Sequence, residues 1–86
     1  MWKILFTKQS QKDAEKIARA RLKNKVETLL KILEENPYQN PPAFEKLVGD
    51  LSGAYSRRIN IQHRLIYQIY EEVGTVKIIR MWTHYE

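Results

Sequence analysis

The sequence predicts an α+β fold in the order β-αα-ββββ, with a helix pair packed on one face of a mostly antiparallel sheet. Residues 8–35 contain no Gly or Pro and carry apolar side chains at helical spacing, whereas the segments between residues 44 and 82 tend to alternate apolar and polar side chains. Three prolines within residues 37–42 separate the two patterns. A length of 86 residues predicts a single domain over residues 1–86.

One strand and two helices are expected before the proline segment. Residues 2–6 are bulky and apolar, as in a short strand, and Thr7 is a suitable N-cap for a helix over residues 8–20. The narrow apolar face of this helix follows the i, i+3, i+4, i+7 pattern at Ala14, Ile17, Ala18 and Arg21. A second, richer stripe predicts a helix over residues 22–35, which Asn36-Pro37 ends. A hairpin of two helices is preferred to one bent helix.

Four strands are expected after the prolines, over residues 44–48, 54–61, 64–70 and 75–82, with a tight hairpin at 71–74. In the third of these strands we assign Leu65, Tyr67 and Ile69 to the core, with the Tyr67 hydroxyl hydrogen-bonded. The more polar row, which is Arg64, Ile66, Gln68 and Tyr70, then points outward. Two guanidinium groups lie together if Arg58 shares that surface.

Charge and composition limit the function classes. Fifteen Lys and Arg against ten Asp and Glu give a net charge of +5 and a pI near 9.6, so a polyanionic partner is plausible. The chain has no cysteine, which excludes disulfides and thiolate zinc sites and suits a reducing cytoplasm. No apolar run is long enough for a membrane span, and the N-terminal residues turn polar too soon for a signal peptide. A cytoplasmic protein is therefore expected.

Three motifs in the second half of the chain resemble those of one protein family. They are Leu51-Ser52-Gly53-Ala54-Tyr55-Ser56-Arg57-Arg58-Ile59, then His63-Arg64-Leu65-Ile66-Tyr67, and finally His84-Tyr85. Their order and spacing resemble the Txe/YoeB group of the RelE superfamily of bacterial toxins, and Glu45 lies at the position of that group's catalytic glutamate. The resemblance covers essentially the whole chain and implies a RelE-like fold of the β-αα-ββββ type.

The resemblance implies a toxin of a type II toxin–antitoxin system that cleaves messenger RNA in the ribosomal A site. It places the catalytic residues at Glu45, Arg64, His84 and Tyr85, and a phosphate-binding arginine at Arg58. Arg57, which precedes Arg58, and Lys46, which follows Glu45, are included among the expected phosphate-binding residues. The implied partners are a cognate antitoxin of the YefM/Axe type and the ribosome with its message, and no membrane. The sequence leaves open whether the chain forms a homodimer.

This sequence departs from the family pattern at three positions. Val48 stands where the best-known member has a basic residue, and Trp82 stands where an arginine is common. Glu86 extends beyond the terminal Tyr. At these positions the shape of the site and the ribosome contacts near Val48 are expected to differ from those of other members.

The chemistry of RNA cleavage agrees with these roles. The 2′-hydroxyl is the nucleophile, so the site needs a base, cations for the phosphorane and an acid for the 5′-oxygen. Glu45 is the candidate base, Arg58 and Arg64 are the cations, and His84 is the acid. Tyr85 either orients the phosphate or stacks on a base. No metal and no cofactor are expected, because two histidines 21 positions apart without cysteine make a poor metal site.

Each assignment has a plainer alternative. Glu45 on its own reads as an exposed carboxylate, and His84 as a solvent-exposed terminal histidine. Arg57 and Arg58 point to opposite faces of a strand, so at most one of them joins Arg64, and we choose Arg58. His63 is expected to be structural. Lys12, Lys16 and Arg19 of the first helix serve as a solvated face or contact ribosomal RNA.

The second function class is a non-enzymatic binding module of the same fold, either a topoisomerase poison or a relic that sequesters antitoxin. Such relatives generally lack the glutamate and the terminal histidine, and this chain has both Glu45 and His84. The toxin with endoribonuclease activity is therefore preferred.

Overall fold

The computed structural model describes residues 1–82 and shows two helices packed on one five-stranded sheet. The strands are β1 (Lys3–Phe6), β2 (Phe44–Lys46), β3 (Ala54–Arg58), β4 (Arg64–Tyr70) and β5 (Thr75–Arg80), and the helices are α1 (Lys8–Arg19) and α2 (Lys23–Glu35). The sheet order is β1-β5-β4-β3-β2, with β1 and β5 parallel and the other pairs antiparallel. The predicted fold class is confirmed.

The hydrophobic core lies between the helix pair and one face of the sheet. Ile17 of α1 and Leu33 of α2 are buried there, together with Leu65, Tyr67 and Ile78 of the two central strands. The strand alternation predicted for β4 is thus confirmed for Leu65 and Tyr67. Ile66, which belongs to the opposite row, is buried as well, so the outward face of β4 is less polar than expected.

Helix α1 begins as the sequence predicts and differs in its buried face. Thr7 Oγ1 accepts a hydrogen bond from the Ser10 amide at 3.0 Å, which makes Thr7 the N-cap. The buried residues of α1 are Ser10, Asp13 and Ile17. The expected apolar stripe is therefore wrong apart from Ile17, because Ala14 and Ala18 are exposed and polar side chains are buried one turn earlier.

The two helices form the expected hairpin. Arg21 adopts a left-handed backbone conformation with φ of 61°, and this residue separates Ala20, the C-cap of α1, from Leu22, the N-cap of α2. Neither helix of residues 1–82 is long and apolar enough to cross a membrane.

Three strands are shorter than the alternation predicts. β2 ends at Lys46, before the 3₁₀ turn Gly49–Leu51. β3 ends at Arg58, because the amides of Ile59 and Asn60 both bond to the His63 carbonyl and close a turn. β5 ends at Arg80, where the chain leaves the sheet. The last two endings place a turn and Trp82 next to His63, the residue before β4.

Candidate active site

The register of β2, β3 and β4 brings Glu45, Arg58 and Arg64 to one face of the sheet. Glu45 is paired with Ser56, and Arg58 is paired with Arg64. Residues directly opposite in an antiparallel pair share a face, and Ser56 and Arg58 share a face because they are two positions apart. This register confirms that Arg58 and Arg64 are neighbours. They lie on the face of the sheet opposite Leu65 and the helices.

These side chains line a pocket of about 300 Å³. Its lining residues are Pro42, Ala43, Phe44, Glu45, Ser56, Arg58 and Arg64. Two cations and one carboxylate therefore surround a concave surface at the end of the sheet where β3 turns into β4. A second cavity, of about 390 Å³, lies beside the helix pair and is lined mainly by apolar side chains such as Ile17, Val26 and Leu30. Only the first of these two combines a base with two guanidinium groups.

The polar contacts within the pocket are long. Arg64 Nη1 lies 3.8 Å from Glu45 Oε1, and it donates a weak hydrogen bond to Ser56 Oγ at 3.5 Å. The side chain of Glu45 is 68% exposed, and that of Arg64 is 21% exposed. An ion pair of this length with one exposed partner contributes little to folding stability, typically about 0–1 kcal/mol. The carboxylate can therefore change partners at low cost when an anionic ligand enters.

This arrangement suits proton abstraction beside a phosphate. Guanidinium groups bind phosphate oxygens through planar, paired N–H donors and stabilise negative charge that develops on them. A carboxylate next to them can accept a proton from a hydroxyl of the same ligand. Within residues 1–82 no three His, Asp or Glu side chains are close enough together to form a metal site.

Arg57 does not belong to this pocket, and the prediction that it binds phosphate is wrong. Its side chain is 0% exposed and lies on the opposite face of β3 from Arg58. Its guanidinium donates to Tyr67 Oη at 2.9 Å and to the carbonyls of Pro37, Gln39 and Pro42 at 3.0, 2.9 and 2.6 Å. With these partners Arg57 holds the proline segment against the core, and a phosphate cannot reach it.

The Arg57–Tyr67 pair also affects ionisation in the core. Burial raises the pKa of the Tyr67 hydroxyl above its ordinary value, while the positive charge of Arg57 and its hydrogen bond act in the opposite direction. Tyr67 therefore keeps its proton at neutral pH. Its predicted place in the core with a bonded hydroxyl is confirmed.

Lys46 is exposed, but the structure does not bring it into the pocket. It is paired with Tyr55, whereas Glu45 is paired with Ser56, so the two β2 residues take opposite sides of the strand. Lys46 lines a separate surface depression with Val48 and Ser52. That Lys46 contacts RNA stays a prediction, and such a contact would lie outside this pocket.

His84 and Tyr85 lie outside the described residues, and the chain that leads to them is described as far as Trp82. The Trp82 ring is stacked on the His63 ring, with centroids 3.8 Å apart and planes inclined by 20°. His63 is buried and directly precedes Arg64. Trp82, the last residue that the structure describes, thus packs against His63, and His63 has the structural place that the sequence predicts.

Sequence reasoning missed one residue of the pocket and one buried acidic residue outside it. Ser56 is 1% exposed, lies between Glu45 and Arg58 on the same face, and contacts Arg64. Its spacing of two from Arg58 is the signal that could have identified it. Asp13 is buried in α1 and bonds to the backbone of residues 81 and 82. A lone acidic residue in a polar helix carries no such signal.

The model of the family described as YoeB-like toxin of bacterial type II toxin-antitoxin system matches residues 6–85. The chain belongs to the YoeB toxin family. It is therefore a toxin of the type II toxin–antitoxin class, and the resemblance seen in the three motifs is confirmed.

Individual YoeB proteins resemble the chain over most of its length. It is 35% identical to Toxin YoeB of Synechocystis over 66 residues, which are 77% of this chain and 74% of the relative. A YoeB-YefM toxin-antitoxin complex from Staphylococcus aureus, solved as a heterotetramer, has a chain that is 32% identical with a TM-score of 0.81, covering 99% of both chains. The YoeB dimer from Staphylococcus aureus matches with 31% identity and a TM-score of 0.79, covering 98% of both chains.

Proposed function

We propose that this YoeB family toxin is an endoribonuclease that cleaves messenger RNA in the A site of the ribosome and thereby inhibits translation. The observation that carries the proposal is the convergence of Glu45, Arg58 and Arg64 on one pocket from three separate segments of the chain. A stabilising salt bridge would need only one of the two arginines. A pair of guanidinium groups around one carboxylate matches the charge of a phosphodiester beside a hydroxyl that must lose its proton.

In the proposed reaction Glu45 accepts the proton of the 2′-hydroxyl, and the 2′-oxygen forms a bond to the adjacent phosphorus. The bond between phosphorus and the 5′-oxygen breaks, and His84 donates a proton to that oxygen. The products are a 2′,3′-cyclic phosphate and a 5′-hydroxyl end. Arg58 and Arg64 stabilise the charge on the phosphorane, and Tyr85 orients the phosphate or stacks on a base. The nucleophile comes from the RNA itself, so the scheme uses no metal.

The ribosome supplies geometry in this proposal. Glu45 is largely exposed to solvent, and none of the residues 1–82 that line the pocket encloses a flexible RNA strand. In-line alignment of the attacking and leaving oxygens accounts for about 7–11 kcal/mol in favourable intramolecular reactions. A message held in the A site provides part of that alignment. Basic side chains of α1, namely Lys12, Lys16 and Arg19, are exposed and are proposed to contact ribosomal phosphates.

A cognate antitoxin of the YefM type is the proposed inhibitory partner. The Staphylococcus aureus complex of YoeB with YefM supports this assignment. The net charge of +5 suits an acidic, partly disordered antitoxin segment that covers the basic surface. The YoeB dimer of the same organism supports a homodimer for this chain.

Single-turnover cleavage on programmed ribosomes tests the function. We expect a cut within the A-site codon, a rate orders of magnitude higher than on naked RNA, and weaker docking as salt is added. Glu45→Gln, Arg64→Ala and His84→Gln are each expected to lower the single-turnover rate by about 100-fold or more. Glu72→Gln, which removes an exposed carboxylate outside the pocket, is the matched control and should retain full activity.

Two outcomes would contradict the proposal. Equal cleavage of free and ribosome-bound RNA would exclude the positioning role of the ribosome. Binding of the toxin to its target without any cut RNA would exclude the nuclease and favour the non-enzymatic binding module. Circular dichroism and urea denaturation of each variant separate a loss of chemistry from a loss of fold.

A further inference from the structure

A second groove lies directly beside the pocket of Glu45, Arg58 and Arg64. It has a volume of about 250 Å³ and shares two lining residues, Pro42 and Arg58, with that pocket. The proposed reaction takes place in the pocket and does not use the groove. Because the Arg58 side chain lines both, an RNA strand whose scissile phosphate contacts Arg58 has the groove next to it.

One face of α2 forms one side of this groove, which we call the α2 groove. Its four residues follow the helical spacing i, i+3, i+4 and i+7, and they are Lys25, Thr28, Leu29 and Ile32. Ile59, which follows Arg58 in the chain, completes the lining. Leu29 and Ile59 are buried, whereas Lys25 and Arg58 are exposed. The deeper part of the α2 groove is therefore apolar, and its cations lie near the solvent.

The α2 groove is positively charged. Among residues 1–82 its lining contains the cations Lys25 and Arg58 and no Asp or Glu. Neither cation forms an ion pair with a carboxylate of this part of the chain. The Thr28 hydroxyl donates to the Asn24 carbonyl at 3.0 Å, so its proton is already in use. Lys25 is therefore the α2 side chain of this groove that can donate to an anion.

We propose that the α2 groove binds the message next to the cleavage site, with Lys25 donating to the phosphate that neighbours the scissile one. This inference rests on the function proposed above. The occupant is the message because the groove is continuous with the pocket that holds the scissile phosphate. Lys25 touches no reacting atom, so it contributes to binding and not to the chemical step. A phosphate contact carries no base information, so the contact adds no sequence preference.

The first measurement is the affinity of the toxin for ribosomes programmed with a message. Glu45→Gln is the background, because cleavage is then slow. In this background we expect Lys25→Ala to weaken binding about 5–10-fold and to reduce the slope of log affinity against log salt by about one. Lys25→Arg keeps the charge and should stay within about 2-fold. Lys31→Ala, which removes an exposed lysine of α2 outside the groove, is the matched control and should leave the affinity unchanged.

Messages with one neutral linkage identify the RNA that Lys25 contacts. Each message carries a methylphosphonate at one of the two phosphates that flank the scissile one. A 2′-deoxy nucleotide precedes it, so the neutral linkage is not itself attacked, and the same deoxy message with an ordinary phosphate is the control. If Lys25 binds one of these phosphates, its neutralisation weakens binding about 5–10-fold and has no further effect in Lys25→Ala. A contact of Lys25 with ribosomal RNA predicts the same effect of the neutral linkage with and without Lys25.

Cleavage by proteins that retain Glu45 supplies a second readout. Lys25→Ala should raise the half-saturating toxin concentration about 5–10-fold and leave the maximum single-turnover rate within about 2-fold of wild type. The midpoint of urea denaturation should not change, because Lys25 is exposed.

The failures are separable. Unchanged affinity of Lys25→Ala, an equal loss of affinity in Lys31→Ala, or equal effects of both neutral linkages with and without Lys25 would overturn the role of the α2 groove while the nuclease stands. A wild-type protein that leaves ribosome-bound RNA intact would overturn the proposed function and the role of the groove together.

Discussion

Two adjacent arginines show how a single position in a strand decides the role of a residue. Arg57 and Arg58 are identical in chemistry, yet Arg57 is wholly buried under the proline segment and Arg58 lines the exposed pocket. Arg57 uses both ends of its planar guanidinium to satisfy four acceptors. A lysine ammonium is a compact point charge and cannot reach acceptors in so many directions.

Arg57→Lys and Arg58→Lys form a matched pair for this difference. We expect Arg57→Lys to lower the free energy of unfolding by about 3 kcal/mol, because buried acceptors lose their donors. Arg58→Lys should change it by less than about 0.5 kcal/mol, as an exposed substitution does. Urea denaturation measures both values. If both substitutions change the free energy of unfolding equally, the hydrogen bonds of the buried Arg57 do not stabilise the fold beyond what an exposed arginine does.

At the scale of elements, the turn between α1 and α2 depends on one strained residue. Arg21 has a φ of 61°, which glycine adopts readily and an arginine does not. The left-handed conformation costs a residue with a Cβ atom about 1–2 kcal/mol. The Arg21 amide bonds to Ala18 O, and the Leu22 amide bonds to Ile17 O, so the turn is held by the backbone.

Arg21→Gly relieves this strain, but glycine also gives the unfolded chain more conformational entropy, which favours unfolding. The net effect of Arg21→Gly is therefore expected to lie between zero and a stabilisation of about 1 kcal/mol. Lys12→Gly also replaces an exposed basic side chain, but within α1, and should destabilise by about 1 kcal/mol. Thermal or urea unfolding of the two variants decides the question. If Arg21→Gly lowers the free energy of unfolding as much as Lys12→Gly does, the strain argument is contradicted.

At the scale of the whole molecule, the proline segment is connected to the sheet at two places. Arg57 donates hydrogen bonds to backbone carbonyls of the proline segment. The Tyr38 hydroxyl donates a hydrogen bond to Glu71 in the turn between β4 and β5. Tyr38 also packs edge-on against Trp2 and Tyr55. The segment that leads into β2, and so to Glu45, is thereby tied to the opposite end of the sheet.

The Tyr38–Glu71 contact predicts a defined pH dependence of stability. The hydrogen bond to Glu71, with a smaller effect of burial, raises the pKa of Tyr38 to about 12. A folded-state pKa above the ordinary value of about 10 means that the contact stabilises the fold fully below pH 10 and loses this effect as pH rises toward 12.

Urea denaturation of wild type and Tyr38→Phe from pH 8 to pH 12 is the measurement. Wild type should be the more stable protein below pH 10, and the difference should shrink between pH 10 and 12. Tyr67, whose pKa burial raises, is present in both proteins, so its contribution cancels in the comparison. A difference that stays constant across this range would show that the hydrogen bond does not contribute.

The candidate site was partly predictable from sequence. The period of two in β3 and β4 is enough to place Arg58 beside Arg64 once the strands pair, and the register confirms it. The period alone cannot say which of Arg57 and Arg58 faces the helices, and Arg58 is preferred because the family resemblance places a phosphate-binding arginine at that position. β2 and β3 are shorter than predicted, because Val48 and Ile59 continue the apolar pattern into the turns that follow these strands. Hydrogen bonds of the turns stop those strands.

The sequence by itself determined the element order, the N-cap at Thr7, the core row of β4 and the family, since each depends on local spacing or on motifs read along the chain. The tertiary structure decided what depends on contacts across the sequence. It buried Arg57 under carbonyls 15 to 20 positions away and brought Asp13 to the backbone of Trp82, 69 positions away. Neither contact leaves a periodic signal, because a buried polar side chain is fixed by the acceptors and donors that the fold brings to it.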